Sequence, residues 1–226
     1  MMRYFFVKTF LVMVLACTCS VVSAEIQTFE YRTRNPRARA EASRYTLTVD
    51  KSGDGRAKYA RIFTGDDIDK YEDFILDANF ETVEWSTQRQ DQDTQYSGHK
   101  AGRKITLKGT LKGQPIDKSF ELEDDKPFYF SPKFNLQQLI LSDQQEVEFW
   151  TLRKDELTPY LMVAEKDGAA TLKIDGREVE TVKVKYSPAG KFAKYYRRTY
   201  YYRASDGFFV YRKSPTGSIT QLMSSK

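Results

Sequence analysis

The chain has 226 residues, and its 36 lysines and arginines against 31 aspartates and glutamates give a formal net charge of only +5 at pH 7. This balance argues against a nucleic-acid-binding protein, which needs a stronger basic excess. The two cysteines, Cys17 and Cys19, lie near the N-terminus, so a chain cut after residue 24 would have no disulfide and no thiolate ligand.

The first 24 residues have the pattern of a secretory signal peptide. Arg3 gives a basic start, an apolar run covers 9–22, and small residues at 23 and 24 precede Glu25. A membrane-spanning helix needs about 20 apolar residues, and this run is shorter. We therefore expect residues 1–24 to be cleaved, with no transmembrane span in the mature chain.

The mature part, 25–226, is expected to be one antiparallel β domain in the bacterial periplasm or outside the cell. An alternative processing route is open, because Val-Leu-Ala-Cys at 14–17 resembles the lipobox of bacterial lipoproteins. In that case the protein would be anchored through a lipid on Cys17.

Apolar residues alternate with polar ones along most of the mature chain. Tyr45, Leu47 and Val49 alternate with polar neighbours, and Ile105 and Leu107 do the same further on. One-sided alternation is typical of an antiparallel sheet with one wet face. The sequence predicts an all-β fold, a single curved antiparallel sheet built as a half-barrel or open barrel meander, with one short helix.

Turn residues separate these runs at short intervals. Lys112-Gly113-Gln114 divides two of the runs, and Asp167-Gly168, Asp175-Gly176 and Asp206-Gly207 each predict a hairpin turn, because Asp and Gly tolerate positive φ. Across Asp175-Gly176, Leu172 should face Val179. The apolar parity then changes between Val179 and Val182, which predicts a β-bulge in that strand.

One helix is predicted in the middle of the chain. Ser131 can cap it, Pro132 fits its first turn, and it should end near Leu141. Leu136, Leu139 and Ile140 lie on one face at helical spacing. Such a helix is expected to plug or cover one face of the sheet.

Residues for catalysis are sparse. His99 is the single histidine, and it is predicted to lie in a loop. Acidic residues cluster at 66–69 and 121–125, and a glycosidase would need two of them to face each other across a cleft. We expect no catalytic residue, no metal site and no cofactor, with a carboxylate-dependent hydrolase as the less favoured alternative.

The segment 192–203 is rich in tyrosine and arginine. On a strand, Tyr196, Arg198, Tyr200 and Tyr202 would share one face, with Phe208 after the next turn. Tyrosine and arginine together can bind a lipid headgroup or a sugar, whereas cross-strand pairing within the sheet is the structural alternative. The candidate ligand-binding residues are these five together with two tryptophans that could line a cavity, Trp85 and Trp150.

The C-terminal half resembles the exported proteins of domain-of-unknown-function family 3108. The likeness lies in 176–184, which leads into the basic aromatic strand, in Tyr-Arg-Ala-Ser-Asp-Gly-Phe-Phe-Val at 202–210, and in 74–77. It implies a curved antiparallel sheet similar in outline to the LolA and LolB lipoprotein carriers. It also implies an envelope location and supplies no catalytic residues.

Three functions follow from these observations. The first is a non-enzymatic envelope protein that binds a lipid, a lipoprotein acyl group or another amphipathic ligand inside the curved sheet. The second is a periplasmic scaffold that docks an envelope protein or a glycan through the tyrosine-arginine strand. The third is the hydrolase. A lined hollow would favour the first, and a flat exposed aromatic stripe would favour the second.

Overall fold

A computed structural model of the chain describes residues 25–34, 43–51, 55–64, 70–190, 197–214 and 217–225. The predicted signal peptide with Cys17, and the candidate residue Tyr196, lie outside these ranges. The described strands are β1 (Glu25–Arg34), β2 (Ser43–Lys51), β3 (Ala57–Thr64), β4 (Lys70–Leu76), β5 (Thr82–Arg89), β6 (Thr94–Ala101), β7 (Lys104–Leu111), β8 (Gln114–Glu121), β9 (Glu146–Arg153), β10 (Thr158–Ile174), β11 (Arg177–Pro188), β12 (Arg198–Arg203), β13 (Phe209–Lys213) and β14 (Ile219–Ser225).

These strands form one antiparallel sheet in the order β8-β7-β6-β5-β4-β3-β2-β1-β14-β13-β12-β11-β10-β9. Two meanders, β1–β8 and β9–β14, are thus joined where β14 pairs with β1. Within the described part of the chain, β8 and β9 are the two edges of the sheet, so the meander stays open there. The prediction of a single curved antiparallel sheet with a short helix is confirmed.

Side-chain alternation places the aromatic and aliphatic residues on one face. On β2, Tyr45, Leu47 and Val49 are buried, whereas Thr46 and Thr48 between them keep partial exposure. The turn at Asp175-Gly176 has positive φ at both residues (49° and 79°), which an Asp-Gly pair adopts at little cost. Local pattern and turn chemistry therefore agree along this part of the chain.

The prediction of a hairpin turn at Asp167-Gly168 is wrong. These residues lie inside β10, where Lys166 pairs with Val184 and Ala169 with Val182. Two residues of β10 thus oppose one residue of β11, which is a β-bulge. The bulge predicted between Val179 and Val182 of β11 is wrong, because the register is regular there; Leu172 does face Val179, as predicted. Gly168 has φ of 93°, so the same dipeptide that suits a hairpin also suits a bulge.

The helical stretch has two segments, α1 (Pro132–Asn135) and α2 (Gln137–Leu141), separated at Leu136. Leu136, Leu139 and Ile140 are buried as predicted. Ser131 occupies the N-cap position, but its side chain makes no capping hydrogen bond with the described residues. The break at Leu136 leaves each segment too short to be stable alone, so packing against the sheet holds it.

The connection between β8 and β9 is fastened inside the sheet. Residues 127–129 run parallel to β9 beside Trp150. The backbone N–H of Trp150 donates to Pro127 O at 2.8 Å. Phe128 O accepts from Thr82 N of β5 at 2.9 Å. Phe134 packs among aromatic rings of β1, β3 and β4, with centroid distances of 6.2 to 6.4 Å. An aromatic core therefore fills much of the concave face.

Candidate functional site

A cavity of about 460 Å³ remains between α1 and the ends of several strands. Its wall combines apolar residues such as Phe130, Leu136 and Leu152 with an excess of basic side chains. The basic residues of the lining are Arg61, Lys133, Arg153, Lys154, Arg198 and Arg212. We call this space the basic cavity, and its size is in the range of small-molecule sites.

One buried carboxylate, Glu72, is the counter-ion of several basic side chains in and beside the cavity. Glu72 on β4 stands opposite Arg61 on β3 in the sheet register, and the two form an ion pair. Glu72 Oε1 also accepts from Lys154 Nζ at 2.6 Å and lies 2.9 Å from Lys70 Nζ. Burial lowers the pKa of Arg61 to about 10. The charges here are unequal, since one carboxylate faces three basic groups.

Lys133 enters the cavity from α1 without a carboxylate partner among the described residues. Its Nζ donates to Tyr45 Oη at 3.0 Å. The rings of Tyr45, Phe134 and Phe209 have centroids 4.5, 4.8 and 5.4 Å from this nitrogen. Burial, together with the nearby positive charges of Arg61 and Arg212, holds the pKa of Lys133 well below its usual value.

The β12–β13 side of the cavity carries polar atoms without partners. Within the described ranges, the buried Tyr202 hydroxyl and the buried Nε of Arg212 make no hydrogen bond. The Arg212 guanidinium lies over the Tyr200 ring, 5.9 Å from its centroid. Buried polar atoms are nearly always satisfied, so these groups and the surplus positive charge favour an acceptor-rich, anionic ligand.

The structure divides the predicted ligand-binding residues into two groups. Arg198, Tyr200 and Tyr202 line the basic cavity. The other three described candidates do not line it. Trp85 packs 5.5 Å from Phe130, Trp150 Nε1 donates to Asp124 Oδ1 at 2.9 Å, and Phe208 stacks 4.3 Å from Phe29.

Sequence reasoning missed Arg61, Lys133 and Glu72, which lie in or beside the basic cavity, although Arg61 and Glu72 had a visible signal. Arg61 shares the inward parity of Tyr59 on β3, and Glu72 shares that of Phe74 on β4. Opposite charges at core positions of neighbouring strands indicate a buried ion pair. Lys133 had no comparable signal, because its direction depends on how the short helix packs.

Of the other residues considered for chemistry, the acidic cluster at 66–69 lies outside the described residues, and the described ones do not line this cavity. His99 lies on β6, so its prediction as a loop residue is wrong; its Nδ1 is 4.0 Å from Glu84 and both side chains are exposed. The acidic residues 121–125 do not line the basic cavity. Among the described residues, no three His, Cys, Asp or Glu side chains form a group that could hold a metal ion.

No protein-family model matches the sequence, and neither does any curated protein. The fold is similar to the crystal structure of a β-barrel-like protein of domain of unknown function DUF1849 from Brucella abortus. That similarity has a TM-score of 0.51 at 10% identity, over 90% of this chain and 97% of that chain.

Two other solved structures are more distant. A DUF1089 family protein from Pseudomonas aeruginosa has a TM-score of 0.43 at 14% identity, over 76% of this chain and 89% of that chain. The hypothetical lipoprotein YmcC from Escherichia coli (K12) has a TM-score of 0.37 at 10% identity, over 88% and 86%. At these identities the comparisons support the fold, through the Brucella protein, and not an activity.

The resemblance to family 3108 and to the LolA and LolB carriers stays a prediction. In the part of the chain that the structure describes, no helix is long and apolar enough to cross a membrane.

Proposed function

We propose that this chain is a non-enzymatic binding protein of the bacterial cell envelope, and that its basic cavity receives the anionic head group of an amphipathic ligand. The observation that carries the proposal is the charge of the wall, where six basic side chains and only two acidic ones, Asp155 and Glu156, line about 460 Å³. A ligand anion would supply the acceptors that Tyr202 Oη and Arg212 Nε lack among the described residues.

The shape of the interior restricts the ligand. The helical stretch and residues 127–130 occupy much of the concave face, so a long acyl chain has less room there than in a hollow half-barrel. The apolar part of the ligand would instead lie on Phe130, Leu136 and Leu152, which border the same cavity. A short or partly exposed apolar tail fits this arrangement best.

Electrostatics would give the binding its selectivity. A phosphate group carries several acceptor oxygens, and arginine can bind two of them at once. A zwitterionic head group would bring its own positive charge into a wall that is already basic. Anionic lipids should therefore bind more tightly than zwitterionic lipids with the same chains.

The test is calorimetric titration of the mature protein with dihexanoyl phosphatidylglycerol and, separately, with dihexanoyl phosphatidylcholine, both as monomers. We expect binding of the anionic lipid only, weakened by salt and reduced at least tenfold in Arg212→Gln and in Arg198→Gln. Lys108→Gln is the matched control, because Lys108 is 73% exposed and outside the basic cavity.

Equal affinity for the two lipids would contradict an anionic head-group site. Absence of binding to both would contradict the proposal as a whole, provided that circular dichroism shows each protein to be folded. A loss in Lys108→Gln as large as that in Arg212→Gln would place the interaction on the outer surface instead.

A further inference from the structure

We propose that the amine of Lys133 is a covalent capture site, which forms an imine with an aldehyde or ketone that also carries a phosphate or carboxylate group. The inference rests on the proposed anion binding in the basic cavity and names the ligand class more narrowly. It begins from a difference between Lys133 and the two other lysines near the cavity.

Lys70 and Lys154 both reach Glu72, at 2.9 and 2.6 Å. Lys133 has no carboxylate within ion-pair distance among the described residues, and its single hydrogen bond there goes to the Tyr45 hydroxyl. Tyr45 is itself buried, and burial keeps its pKa above the usual value, so it offers a neutral phenol rather than a phenolate. Among the described residues, no anion therefore stabilises an ammonium group at Lys133.

The surroundings of Lys133 favour its neutral form. Burial is the larger cause, and the charges of Arg61, Arg212, Lys154 and Lys70 act in the same direction. The three nearby rings act in the opposite direction, since a ring face attracts a cation. A lysine in an apolar site beside other cations is the arrangement that activates an amine as a nucleophile.

The same cations would hold the electrophile in place. An anionic group on the ligand would lie against Arg61, Arg198 or Arg212, while Lys133 on α1 lines the same cavity. Tyr45 accepts one N–H of the amine, which leaves the nitrogen lone pair free to attack. Proximity of this kind converts a slow bimolecular addition into an efficient local one.

The chemistry needs no further reactant. The Lys133 nitrogen adds to the carbonyl carbon, a proton moves from nitrogen to the carbonyl oxygen, and the carbinolamine loses water to give the C=N bond. The neutral imine adds no positive charge to an already basic wall. The step is reversible by hydrolysis, so it suits capture and release rather than permanent attachment.

The experiment uses pyridoxal 5′-phosphate as the probe, because it carries an aldehyde and a phosphate. The mature protein is incubated with less than one equivalent, reduced with cyanoborohydride and mapped by peptide mass spectrometry. We expect at least tenfold more label on Lys133 than on the exposed Lys108. Inorganic phosphate should protect Lys133, and pyridoxal, which lacks the phosphate, should label it at least tenfold less.

Lys133→Arg should abolish the selective label, whereas Lys108→Arg should leave it unchanged. Even label over the exposed lysines, with phosphatidylglycerol still bound selectively, would overturn the imine while leaving the proposed function intact. Absence of both selective label and anion binding would overturn both. The labelling of the unmodified protein decides the matter even if a Lys133 variant fails to fold.

Discussion

Substitution of the buried carboxylate Glu72 by glutamine tests the charge arrangement around the basic cavity. Glu72 is fully buried, forms an ion pair with the 5%-exposed side chain of Arg61, and contacts the amino groups of Lys70 and Lys154. Glutamine keeps the size of the side chain and removes its charge. The three basic groups would then lie together without a counter-ion.

The expected loss of stability in Glu72→Gln depends on how well each basic group can be hydrated once its counter-ion is gone. Lys154 and Lys70 keep 39% and 17% of their side-chain exposure and can recover hydration by rotating outward, whereas Arg61 cannot. Removing one partner of a buried ion pair costs about 3–5 kcal/mol. For a domain of this size that loss lowers the melting temperature by roughly 6–20 °C.

The assay is urea unfolding at pH 7, followed by circular dichroism, with Glu84→Gln as the matched control. Glu84 lies on the neighbouring strand and is 53% exposed, so its loss should cost less than about 0.5 kcal/mol. Adding Arg61→Met to Glu72→Gln should recover part of the stability, since the uncompensated charge is then gone. A cost below about 1 kcal/mol for Glu72→Gln would refute the buried cluster.

Three further predictions concern the core. Asn135→Ala removes two hydrogen bonds, to Phe80 O at 2.7 Å and to Thr82 Oγ1 at 2.9 Å, that hold α1 against the start of β5. It should lower the free energy of unfolding in urea by about 2–3 kcal/mol. An unchanged unfolding midpoint would show that these hydrogen bonds are not formed. In Gly98→Ala the new Cβ would lie 2.1 Å from carbons of the Trp85 ring, so a loss of about 1–3 kcal/mol with altered tryptophan fluorescence is expected, and unaltered fluorescence would contradict that contact. Burial raises the pKa of Tyr31 and Tyr202 well above 10.0. The folded protein therefore keeps two phenol protons that the unfolded chain releases, so the free energy of unfolding should fall as pH rises above about 10. A constant free energy of unfolding over that pH range would contradict the burial of these hydroxyls.

Local patterns predicted strands such as β2 and β4 well because buried and more exposed residues alternate along them. The residues Tyr45, Leu47 and Val49 show this most clearly. The error at Asp167-Gly168 arose because a hairpin and a bulge both require positive φ at glycine, and only the neighbouring strands decide between them. The path of the β8–β9 connection across the concave face also depends on non-local contacts that no sequence period encodes.

The site was predicted only in part for a similar reason. Tyr200 and Tyr202 share a face of β12, and the period of a strand places them together. A large amphipathic side chain suits both a cavity wall and a packed core, and Trp85 is found in both, because it is buried and also lines a second cavity of about 440 Å³ over β4–β7. Ligand binding by these residues stays a prediction, which the calorimetric titration with lipids can test.

The pairing of β1 with β14 has a consequence for how the protein folds. Most hairpins in the two meanders close over short stretches of chain, whereas Phe29 pairs with Ser225 across nearly the whole of the described chain. Closing so long a loop has a large cost in chain entropy, and this cost precedes the contacts between β1 and β14 that offset it. We therefore expect this seam to form late, after both meanders, and its amide protons to lose protection first when the protein begins to unfold.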